Sequence, residues 1–75
     1  MENKFLRAFK EAFDLDDDFL VDMKDEFRDY ENWDSLTKLS LIAAIDEYFE
    51  ITIENKQFEK LMSIQDLYDF IIKSK

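Results

Sequence analysis

At 75 residues, with no cysteine, histidine, glycine or proline, the chain is one small domain that no disulfide can staple and that lacks the usual residues of tight hairpin turns. This argues against a β fold and leaves any left-handed corner to Asn or Asp, such as Asn32 or Asn55. The net charge of −9 argues against nucleic acid as a partner and for a basic protein surface as the complement.

With 47% hydrophobic and 39% charged residues the chain is expected to be globular and soluble. It begins without a basic, apolar leader, so neither export nor membrane insertion is indicated, and a monomer in the cytoplasm is the expectation. The charge is uneven. Residues 1–34 hold 12 Asp or Glu against 5 Lys or Arg, whereas residues 35–75 hold 7 against 5.

Phe5, Leu6, Phe9, Ala12 and Phe13 recur at helical spacing, which predicts a first amphipathic helix over 2–14, ending at the acid run "DLDDD". Residues 14–34 then form a long acidic connection with apolar anchors Phe19, Leu20, Val21, Met23, Phe27, Tyr30 and Trp33. A connector of that length in so small a domain needs local structure of its own or a function. No repeat, linker or shift of composition divides the chain, so residues 1–75 read as a single domain.

From Leu36 to Phe49 the apolar positions Leu36, Leu39, Ile42, Ala43, Ile45 and Phe49 predict a second helix with one apolar stripe. "ENKQFEKLM" is read as a short helix that turns Phe58 and Leu61 inward. The last helix is the best specified. Ser63 and Asp66 have capping-box spacing, with Ile64, Leu67, Tyr68 and Ile71 on one face and Lys73 and Lys75 suited to the C-terminus.

Three kinds of chemistry compete for the notable polar positions. Asp14, Asp16 and Asp18 have the alternate spacing of a calcium-binding loop, but the sixth position is Phe19 where Gly is wanted and the twelfth is Asp25 where a bidentate Glu is usual. No metal site is expected. Ser35, in "NWDSL", lacks a histidine base to make it a nucleophile, and Lys38 lies one turn into the helix. As the residue at a helix start, with its hydroxyl outside the core, Ser35 is either an ordinary cap together with Asp34 or a substrate for modification near the positive end of the helix dipole.

The run "DSLTKLSLIAAIDEYFEITI", Asp34 to Ile53, resembles the second helix of acyl carrier proteins and peptidyl carrier domains, and "EKLMSIQDLYDFI", Glu59 to Ile71, resembles the end of their third helix and their fourth, including Ser63, Ile64 and Gln65. About half the chain matches closely, while the acidic first half agrees in length and helix placement only. The resemblance implies an all-α, right-handed four-helix bundle with a short third helix and a long first loop. It also implies that Ser35 carries 4'-phosphopantetheine, added from coenzyme A by a phosphopantetheinyl transferase, with Asp34 positioning the serine and Leu36 packing beneath it. The chain would then be a carrier and not an enzyme: the serine needs no base, and the thiol that the chain lacks arrives on the arm.

Departures from the fatty-acid carriers set further expectations. Asn32 and Trp33 stand where small residues are usual, and Trp33 reads equally as a core plug or a partner contact. Thr37, Lys38 and Ser40 replace acidic positions after the serine, leaving Asp46, Glu47 and Glu50 as the acidic edge for enzymes with basic docking surfaces that load acyl or aminoacyl cargo. A specialised pathway follows more naturally than a housekeeping one. The cargo pocket implied by the resemblance is lined by Ile45, Ile53, Phe58, Leu61 and Leu67. Phe58 and Leu67 are larger than the Ala common there, so short, small or polar cargo is expected. The alternative is an unmodified helical module that acts only through protein contacts.

Overall fold

The computed structural model describes residues 2–74 as four helices, α1 (Glu2–Ala12), α2 (Ser35–Phe49), α3 (Asn55–Lys60) and α4 (Ile64–Ser74). A 3-10 turn at Phe27–Asp29 interrupts the long loop between α1 and α2. Among the described residues there is no strand, only an isolated antiparallel bridge between Glu26 and Ser63. The all-α architecture with a short third helix and a long first loop matches the expectation from sequence. Lys75, expected at the C-terminus of the last helix, lies outside the described residues.

The ends of α1 and α2 and the start of α4 are each closed by a specific device. After α1, Asp14 takes a left-handed conformation with φ 54°, the Asp14 N–H bonds Glu11 O at 3.3 Å and the Leu15 N–H bonds Lys10 O at 2.8 Å. This pair of bonds is a Schellman closure, normally built on Gly. Glu50 ends α2 in the same region, φ 59° and ψ 35°, with its N–H on Asp46 O. One left-handed corner falls to an Asp, as expected of Asn or Asp, though at Asp14 and not at Asn32 or Asn55; the other is Glu50, because a corner falls where a helix must stop.

At the start of α4 the capping box is present. The Asp66 N–H bonds Ser63 Oγ at 3.0 Å, and Asp66 Oδ2 accepts from the N–H groups of Ser63 and Met62 at 3.2 and 3.1 Å. The long loop completes the set: Ile64 N–H donates to Asp25 O at 2.9 Å and Gln65 N–H to Met23 O at 2.8 Å, and the helix's own bonding begins with Leu67 N–H to Ser63 O. All four N–H groups that a helix start leaves open are thus satisfied. The same bonds pin the long loop to α4, which gives the overlong connector its structure.

Phenylalanine dominates the core. Phe5, Phe9, Phe13, Phe27, Phe49 and Phe58 are buried with Leu41, Ile45, Ile53, Ile64, Leu67 and Ile71, and no polar or charged side chain is buried among the described residues. Phe27, Val21, Met23, Tyr30 and Trp33 anchor the loop as expected. Phe19 and Leu20 stay outside the core, 40% and 91% exposed, although the Phe19 ring tilts against Tyr30 with 6.1 Å between centroids. The α2 stripe holds at Ile42, Ile45 and Phe49 and differs from its prediction elsewhere. Leu41, Ala44, Ile45 and Phe49 form the buried face, while Leu36 and Leu39 are 74% and 62% exposed and Ala43 is exposed.

Candidate functional site

The start of α2 is assembled by short-range bonds that leave one hydroxyl over. Asp34, in extended conformation, caps the helix by accepting the Thr37 N–H on Oδ1 at 2.7 Å. The Thr37 hydroxyl donates its one proton to Asn32 O at 2.7 Å, and Asn32 Nδ2 donates to Phe13 O at 2.9 Å. The segment 32–37 is thereby tied both to itself and to the end of α1. Bonding from Thr37, its amide first, and from the Leu36 amide holds the Asp34 carboxyl below its ordinary value.

Ser35, the first residue of α2, is exposed. Its hydroxyl has no hydrogen-bond partner among the described residues. The capping work falls to Asp34, so the serine is free for other chemistry. Leu36 does not pack beneath it. The Leu36 side chain stands on the exposed side of the helix, and the residue of this segment that packs on the core is Trp33. The half-buried Trp33 ring stacks on Phe58 with 6.0 Å between centroids and 8° between planes, stacks on Phe13 at 5.9 Å, and tilts against Phe27 at 5.4 Å. Trp33 thus plugs the gap between the end of α1 and α3.

The remaining site candidates separate into a surface and an interior. At 100° per residue, Ser35, Leu39 and Asp46 project in nearly one direction, with Leu36, Ala43 and Glu47 beside them. All six are exposed. Ser35 heads this face, apolar residues occupy its middle, and Asp46 and Glu47 lie roughly 17 Å further along, followed by Glu50 at the cap. Lys38 is half-buried, its Nζ 5.6 Å above the Phe58 ring. Ile45, Ile53, Phe58 and Leu67 lie together in the buried core, with the half-buried Leu61 packed against them. A surface hollow of about 640 Å³ lies over Asn3, Leu6, Arg7, Lys10, Glu11 and Asp17, and smaller ones of about 330 and 190 Å³ include Leu61 and Asn32 in their linings.

Sequence reasoning missed Asn32 as a tether and Arg28 altogether. Arg28 bonds Leu61 O and Phe58 O across the bundle, and no periodic signal marks a residue in an irregular loop. For the acid run, no group of three or more carboxylates among the described residues is placed to hold a metal ion.

Residues 3–71 match the family described as "Phosphopantetheine attachment site". The chain belongs to this family. Membership makes covalent 4'-phosphopantetheine its prosthetic group, and a free, exposed serine hydroxyl on a fastened helix start suits such a phosphodiester link. Among curated relatives, the chain is 45% identical over 40 residues to the acyl carrier protein of Campylobacter concisus (strain 13826), covering 53% of this chain and 52% of that protein. It is likewise 45% identical over 40 residues to the acyl carrier protein of Thermosynechococcus vestitus (strain NIES-2133 / IAM M-273 / BP-1), covering 53% of this chain and 49% of that one. The matched stretch thus spans about half the length of these relatives. No solved structure gives a significant match. No helix among the described residues is long and apolar enough to cross a membrane.

Proposed function

We propose that the chain is an acyl carrier protein in which Ser35 is the attachment residue and the exposed face of α2 is the docking surface. The observation that carries the reading is the Ser35 hydroxyl, exposed and unpartnered at the head of α2 within a chain of the phosphopantetheine attachment family. When bound, the arm supplies the thiol on which a carboxylic cargo is held as a thioester.

The chain's own residues prepare the site. Asp34 and Thr37 fix the first turn, Asn32 and Trp33 fasten it to the bundle, and Ser35 is left facing solvent. In the transfer reaction the Ser35 oxygen attacks the phosphorus of coenzyme A that bears the pantetheine, the bond to the adenosine bisphosphate breaks, and the serine proton leaves to a base on a phosphopantetheinyl transferase. Leu36, Leu39 and Ala43 give partner enzymes an apolar contact, and Asp46, Glu47 and Glu50 give basic docking surfaces a charged one. Lys38, in place of an acidic residue, biases partner choice toward a specialised pathway. The filled interior around Phe58 and Leu67 favours short, small or polar cargo held outside the bundle of a cytoplasmic monomer.

Incubation with coenzyme A and a promiscuous transferase should raise the intact mass by one phosphopantetheinyl group, and Ser35→Ala should abolish the gain. A gain persisting in Ser35→Ala would move the attachment elsewhere. Failure of the wild type with several active transferases would leave an unmodified interaction module as the better reading.

A further inference from the structure

Phe58 is gripped from several sides, by Trp33, Phe27, Arg28 and Lys38. Its ring is 1% exposed, stacked on Trp33, 5.3 Å from the Phe27 centroid, 5.2 Å from the Arg28 guanidinium carbon and 5.6 Å from Lys38 Nζ. Arg28 does more than stack. Its Nη1 donates to Leu61 O and its Nη2 to Phe58 O at 2.9 Å, while the guanidinium also lies 4.8 Å from the Phe27 ring.

Leu61 O lies just past the end of α3, and Phe58 O, which already accepts the Leu61 N–H at 3.1 Å, offers Arg28 a second acceptor position. At six residues, with no side-chain cap at its start, α3 is too short to hold itself. Its place is therefore set from outside. Arg28 reaches it from the loop that is itself pinned to α4 through Met23 O and Asp25 O.

We propose that Arg28 is a specificity-determining positioning residue: by clamping α3 to the long loop it keeps Phe58 seated, closes the interior to a chain carried at Ser35, and confines the protein to short or polar cargo. This rests on the carrier reading of Ser35. Arg28 touches no cargo; it acts through Phe58. Without the clamp, α3 opens locally more often and an alkyl chain can take the place of the ring.

The test loads wild type, Arg28→Ala and Arg28→Lys with acetyl or dodecanoyl phosphopantetheine from the corresponding acyl-coenzyme A, confirmed by mass. Thermal unfolding and amide exchange are then measured. In wild type the two acyl groups should give the same unfolding temperature. In Arg28→Ala the acetyl form should melt lower and the dodecanoyl form should recover part of the loss. The Phe58 and Leu61 amides should exchange roughly tenfold faster or more relative to Leu67, the factor implied by losing a charge-assisted hydrogen bond. Arg28→Lys keeps the charge but not the two-carbonyl fork and should fall between. It decides the matter if Arg28→Ala does not fold. Phe5→Leu, in α1, should lower stability without any dependence on chain length, which separates the clamp from general weakening. A dodecanoyl effect equal in wild type and the Arg28 variants overturns the clamp alone. Failure of wild type to load sinks the carrier reading, and the clamp's role in cargo choice with it.

Discussion

Asp34 and Asp66 serve two helix starts by the same means, a carboxylate accepting backbone N–H groups. Asp34 accepts from Thr37, and Asp66 accepts from Ser63 and Met62. Both carboxyls are held below the ordinary value of 3.8, Asp34 mainly by the Thr37 amide and Asp66 mainly by the Ser63 amide. The folded state therefore favours the ionised form, so this contribution is present above pH 3.8 and is lost as pH falls through the lower folded values. Asp34→Asn and Asp66→Asn keep an acceptor and remove the charge. Each should lower the urea midpoint at pH 7, and the gap to wild type should close below pH 3.8; a gap constant with pH would deny the carboxylates this role. Ser63 and Asp66 were legible in the sequence because a cap is a local device whose partners sit at fixed offsets. Arg28 was not, since its carbonyl partners are 30 and 33 residues away. Leu36 misled in the opposite direction, being apolar yet exposed.

At the scale of the helices, α1 and α4 could be read in extent and in facing, because each carries a narrow apolar stripe between polar positions. For α2 the extent was legible, and of its facing only Ile42, Ile45 and Phe49. Leu36, Leu39 and the run from Leu41 to Ile45 leave almost no polar gap from which to find the inner face. Tertiary packing chose Leu41, Ala44, Ile45 and Phe49, and it left Leu36, Leu39 and Ala43 beside the serine. The device that ends α2 was hidden, because nothing local marks Glu50 as a left-handed residue. Its side chain carries a steric penalty of about 1–2 kcal/mol in that conformation, partly offset because Gly has more freedom to lose on folding. Glu50→Gly should therefore stabilise the protein, by roughly 0.5–1 kcal/mol after both terms. Urea unfolding at neutral pH measures it. A loss of stability would mean that the Glu50 side chain contributes more at the end of α2 than its backbone strain costs.

Over the whole molecule the negative charge is concentrated in the first half, where 12 acidic residues face 5 basic ones, and along the far end of the α2 face at Asp46, Glu47 and Glu50. The middle of that face is apolar. A basic partner would then be steered by charge but held largely by Leu36 and Leu39, so salt should act on the rate of encounter more than on the rate of release. Asp46→Lys, Glu47→Lys and Glu50→Lys should each slow association with a basic transferase at low ionic strength. Lys38→Glu, which removes a cation one turn from Ser35, should speed it. At 1 M salt, where the screening length falls to about 3 Å, all four variants should converge on the wild-type association rate. Leu39→Ala should behave differently: release should quicken at every salt concentration, because the area it removes is not screened. Stopped-flow association and dissociation rates at low and high salt distinguish the two contributions. Association rates indifferent to both salt and the charge reversals would remove electrostatic steering, and an unchanged dissociation rate in Leu39→Ala would remove the apolar half of the docking face.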